Sequence, residues 1–243
     1  MNSLAAQEGL KIDWANMPTY NTIMAVAVGA GLIGLVLLGR ELLRAPDEVE
    51  PDGWALTFGV LGTVLTTTGL HMTLTWPLAA GGFPFDNIIF GETSLGFGVL
   101  LLAAALYLWK RGATALASSK PVEALARVAQ PITVFVGGLG LSLLAIAVAG
   151  IKYELFAAPA EEPISGAFAD HPMVEATFMS LLIALVGLGA LAFAVLVNRI
   201  RSTGTAGVWG RVTGWLWGLS GILFLLFGAM NFFTHIGLIV NTM

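Results

Sequence analysis

Residues 131–153 read PITVFVGGLGLSLLAIAVAGIKY. Nothing in this stretch carries a charge until Lys152. A helix rising about 1.5 Å per residue crosses a hydrocarbon core of about 30 Å in this length. Five more stretches of the same kind accompany it, at 20–43, 54–78, 88–109, 173–198 and 210–239. The segments between them, RAPDEVEPDG, AAGGFPFDN, KRGATALASSKPVEALARVAQ, ELFAAPAEEPISGAFAD and NRIRSTGTAGVW, carry Pro, Gly, Ser or charge and read as loops. The chain of 243 residues is 57% hydrophobic and 11% charged, with mean hydropathy +0.86. A soluble domain carries about a quarter charged residues. The expected fold class is therefore an all-α integral membrane protein, one domain folded as a six-transmembrane-helix bundle.

The basic residues orient that bundle. Arg40 and Arg44 end the first span. Lys110, Arg111, Lys120 and Arg127 follow the third, and Arg199, Arg201 and Arg211 lie between the fifth and sixth. These nine of eleven fall on one side, leaving Lys11 and Lys152 on the other. Cytoplasmic loops carry the excess of Lys and Arg. The N-terminus and C-terminus are thus expected outside, in a multi-pass protein of the cell membrane. The start, MNSLAAQEGLKIDWANMPTYN, lacks the basic region and short apolar core of a signal peptide, so the first span is expected to be retained. Trp54, Trp109 and Trp209 fall at inner span ends, and Trp14 and Trp76 near outer ones, as in aromatic belts. Segment 110–130 reads as a cytoplasmic amphipathic connector resting on anionic lipid heads. Gly210, Gly214 and Gly218 read as a close helix-packing face.

All three histidines, His71, His171 and His235, fall on the outer side. Glu92 and Glu175 open the third and fifth spans at similar depth, within roughly 10 Å of the boundary at about 1.5 Å per residue. Ionisable groups in a span usually face the bundle interior and pair, because lipid exposure costs several kcal/mol. His71, His235 and Lys152 are the expected partners of the two acids. Thr63, Thr67, His71 and Thr75 recur every four residues and form a polar stripe on one helix face. Asn231 and His235 share that spacing, as do His171 and Glu175, where Pro172 suits a helix start and Asp170 an N-cap. His71 and His235 are candidate axial ligands of haem b. His71, Glu92, Glu175, His235 and His171 are candidate ligands of a transition metal, as mixed nitrogen and carboxylate donors. A structural ion-pair network explains the same residues equally well. With no cysteine, disulfides, Fe–S clusters and thiolate metal sites are excluded. A net charge of −4 and no basic tract give no sign of nucleic acid.

The stretch GLHMTLTWP followed by NIIFGETS faintly echoes GIKYELFAAP followed by HPMVEATF, two hairpins with an acid just inside the second helix. The first of these carries a resemblance. Trp76, Pro77, Leu78, Asn87, Ile88, Phe90, Gly91 and Glu92, within residues 66–110, resemble the pattern of a prokaryotic membrane family labelled domain of unknown function 981. The resemblance implies a multi-pass membrane protein, marks Glu92, and implies no chemistry.

No Walker, dinucleotide, G-x-S-x-G or H-E-x-x-H motif is present. No charged residue interrupts a span at mid-bilayer, as proton-coupled carriers require. Three readings stand open. The first is a redox or metal-binding membrane protein. The second is an accessory subunit that meets other subunits of a membrane complex or a second copy of itself. The third is a small transporter or channel using the Thr stripe.

Overall fold

The computed structural model describes residues 19–75 and 85–243. Among them, six helices are long and apolar enough to cross a membrane: α1 Asn21–Arg44, α2 Pro51–Leu74, α3 Asn87–Leu116, α5 Thr133–Tyr153, α6 Pro172–Thr203 and α7 Gly207–Thr242. A short helix, α4 Pro121–Ala129, lies between α3 and α5. The boundaries follow local chemistry. Pro51 and Pro172 occupy the first turns of α2 and α6, where a missing N–H costs nothing. α6 ends at Gly204, whose left-handed φ of +71° lets its N–H return to Ile200 O. α3 opens with a π-helical turn, Asn87–Glu92, and carries a second, Leu108–Gly112, one turn before its end.

The helices pack as three antiparallel pairs, α1 with α7, α2 with α3 and α5 with α6, in the spatial order α3, α2, α1, α7, α6, α5. Small residues let the backbones approach. A Cβ on Gly69 would stand 2.5 Å from the Leu95 nitrogen, and one on Gly98 2.5 Å from the Thr66 nitrogen. Near the centre, Leu32, Phe97, Val136, Ala190 and Trp217 bring together five of the helices. The outward faces expose large apolar side chains, among them Val134 at 81% and Leu56 at 70%.

The starts of α1, α3 and α6 and the ends of α2, α5 and α7 share one end of the bundle. The nine Arg and Lys residues named above lie at the other, the Arg-rich end. α4 lays Ala126 against Val197 and Ile200 of α6, so part of its apolar face is covered by protein. Among the described residues Gly214 and Gly218 have nothing within 4 Å of a built Cβ, whereas one on Gly210 would approach Ala206, Leu196 and Leu43.

Candidate functional site

The segment between α5 and α6 folds back over the end of the bundle. Leu155 and Phe156 pack into a cluster with Ile89, Ala147 and Ile183. Pro163 then presses on Gly237 of α7. Asn241 Nδ2 donates to the Glu161 carbonyl at 2.7 Å, tying α7 to the same segment. Between these anchors the chain makes a tight turn. Ile164 adopts φ +70° and ψ −67°, and the Ser165 N–H donates to Pro163 O at 2.9 Å. This is a γ-turn of the strained hand, in a β-branched residue that rarely takes positive φ. Such strain costs about 1–3 kcal/mol and is held only where the surroundings over-determine it.

The turn delivers Glu162 into the bundle. Its Oε1 lies 3.7 Å from His235 Nε2, with the two side chains 10% and 17% exposed. That separation suits an ion pair but is too long for a hydrogen bond. Among the described residues the buried Nδ1 of His235 has no hydrogen-bond partner. The buried Thr234 hydroxyl lies toward the Glu162 carboxyl without completing good hydrogen-bond geometry. Burial pushes the Glu162 carboxyl above the ordinary carboxylate range, and Thr234 offsets part of that rise. Glu175 sits beside them on α6. Its Oε2 accepts the Ala158 N–H at 2.7 Å, with the Ser165 hydroxyl nearby and the Glu162 charge within reach. Two carboxylates and an imidazole thus meet under one capping segment.

A second, smaller cluster lies across the same end. Tyr20 and His71 Nδ1 share a hydrogen bond of 2.9 Å and an edge-on ring contact. The phenol donates to that nitrogen or accepts from it according to the imidazole tautomer. Asn87 Nδ2 donates to Thr75 O at 3.3 Å, joining α3 to the end of α2. Burial pushes the carboxyl of Asp86, just before α3, up to about 7.

The residues singled out by type and depth therefore divide. Glu162, which spacing did not reveal, lies 3.7 Å from His235 and within electrostatic reach of Glu175. His71 pairs with Tyr20 rather than with an acid. Glu92 is exposed and makes no ion pair or hydrogen bond with the described residues. His171 is the exposed N-cap of α6 without a side-chain cap bond, a position expected for Asp170. Lys152 lies over the Tyr153 ring. Among the described residues no group of three His, Asp or Glu side chains is close enough to hold a metal ion. α1 packs between α2 and α7, so His71 and His235 do not sit on facing helices as a haem pair would. Thr63 and Thr67 point outward, each hydroxyl donating to its own helix four residues back, Gly59 O and Thr63 O. Trp14, Lys11, Trp76, Pro77 and Leu78 lie outside the described residues. The signal for Glu162 was the apolar content of its loop, since LFAAP and ISGAFA are too greasy for a freely solvated connection.

A family model described as "Protein of unknown function (DUF981)" matches residues 17–237, nearly the whole chain and all six long helices. The chain belongs to that family. No curated protein and no solved structure matches it.

Proposed function

We propose that this protein is a non-catalytic subunit of a membrane assembly, set in the cell membrane with both termini outside and with the α2/α3 face covered by another chain. The observation that carries this reading is the outward direction of the polar residues. Thr63, Thr67 and His71 of α2 and Glu92 of α3 are all exposed on the single chain. An ionisable group left against lipid costs several kcal/mol, and a partner helix removes that cost. The same outward stripe argues against the transport reading, because it provides no polar path through the bundle. Mild detergent extraction of native membranes, with photo-crosslinkers at positions 67 and 92, tests the proposal. One stoichiometric partner, or a second copy of this chain, should be captured from both positions. A lone monodisperse protein crosslinked only to lipid overturns it.

A second reading rests on His235. Its buried Nδ1, without a hydrogen-bond partner among the described residues, is a nitrogen donor of the kind transition metals accept, with the remaining ligands supplied from elsewhere. The absorbance spectrum and elemental composition of protein purified from its native membrane decide this reading. A metal or Soret band that His235→Ala removes supports it, and a colourless, metal-free preparation sinks it.

A further inference from the structure

At the Arg-rich end, a groove of about 800 Å³ opens between the last turns of α1 and the first turns of α2. Leu37 and Thr57 form its deep end, toward the middle of the helices. Trp54 forms part of the wall, and its Nε1 donates to Glu41 Oε2 at 2.8 Å, which occupies that acid. Arg40 and Arg44 stand one helical turn apart on the α1 side. Glu48 and Glu50 line it from the segment that joins α1 to α2. Neither arginine pairs with a carboxylate among the described residues, although the acids line the same groove. Two cations and two free anions are thus held apart across one cavity that runs from the interface toward apolar depth.

A bare anion fits this lining poorly, because Glu41, Glu48 and Glu50 outnumber the two guanidiniums. A ligand that carries both charges fits it. We propose that the groove holds a phospholipid of the surrounding bilayer with a zwitterionic amine-phosphate head. The phosphate sits on Arg40 and Arg44, since guanidinium forks match phosphate oxygens. The ammonium donates to Glu48 and Glu50, and an acyl chain descends past Trp54 and Leu37. A primary ammonium has three N–H donors for the two acids, which a trimethylated head lacks.

The test uses the full-length protein in mild detergent, delipidated and then offered equal amounts of phosphatidylethanolamine, phosphatidylcholine and phosphatidylglycerol with identical chains. Native mass spectrometry reads the lipid retained. Phosphatidylethanolamine should be retained several-fold over both others. Arg40→Gln with Arg44→Gln should lower its retention about tenfold, which is about 1.4 kcal/mol. Glu48→Gln with Glu50→Gln should turn the preference toward phosphatidylglycerol. Soluble glycerophosphoethanolamine at the same concentration should leave the lipid in place. Equal retention of the three lipids, preference of the native chain for phosphatidylglycerol, full displacement by the soluble head, or no effect of the arginine changes overturns the proposal. If the double arginine variant is not monodisperse, Arg44→Gln alone reads the same quantity.

Discussion

Glu162 shows how a side chain can be chosen by the backbone around it. Glu161 and Glu162 are chemically identical neighbours, yet Glu161 is exposed and Glu162 faces His235. Nothing in residue type separates them. Pro163 against Gly237 and the strained Ile164 do, and neither contact is written in spacing along the chain. The histidines and Glu175 were legible because ionisable groups are rare at that depth, whereas Glu162 was hidden by its place in a loop. Its raised pKa has a signed consequence. An acid raised by burial stabilises the folded state in its protonated form. That contribution is complete below the ordinary carboxylate range and is lost as pH rises through the raised value. His235, Glu175 and Thr234 are the polar groups facing it. Amide exchange of residues 158–166, corrected for intrinsic rates, should therefore quicken with rising pH in the native chain. Glu162→Gln should flatten that dependence. Relief of strain at the turn has its own readout. Ile164→Gly should leave thermal stability in detergent unchanged or raise it by up to about 1 kcal/mol, because positive φ costs glycine little.

At the level of elements, the six long helices were legible because lipid demands about 20 apolar residues per crossing. Which glycines pack was not. Gly214 and Gly218 have ideal i, i+4 spacing and meet nothing among the described residues, while Gly69 and Gly98 lie against backbone on the facing helix. Periodicity identifies a face, but only the neighbours decide whether it is used. The contrast predicts opposite outcomes for one substitution. Gly69→Ala should destabilise the α2/α3 pair by about 1–3 kcal/mol, the usual cost of overpacking. Gly214→Ala should be neutral or stabilising by up to about 1 kcal/mol, because alanine favours helix and meets no atom there. Thermal unfolding of both variants in one detergent checks the pair. The amphipathic pattern of α4 predicts one covered face, and part of that cover is α6.

For the whole molecule, the charge asymmetry read from the chain appears as a real polarity of the bundle, with the nine basic residues at one end. The order in which the helices stand, α3, α2, α1, α7, α6, α5, had no counterpart in the sequence, since every span is apolar on most sides. Side-by-side placement comes from shape, and a single chain does not display it. The absence of native cysteine allows the orientation to be measured directly. A cysteine replacing His171 should react with an impermeant maleimide applied to intact cells. One replacing Ser119 should react only after the membrane is opened. The reverse pattern would invert the proposed topology.

The π-helical turn at Asn87–Glu92 bears on how this chain tolerates changes of length. Such a turn holds one residue more than an α-helix needs over the same rise. Deleting one residue within 87–92 leaves a regular helix behind, whereas a deletion in the middle of α3 throws the glycine contacts with α2 out of phase. That mid-helix deletion swings the chain ahead of it by about 100°, the angle of one helical residue, which removal of the extra π-turn residue avoids. The outward aim of Glu92 and the reach of Asn87 to Thr75 are thus tied to a single inserted position.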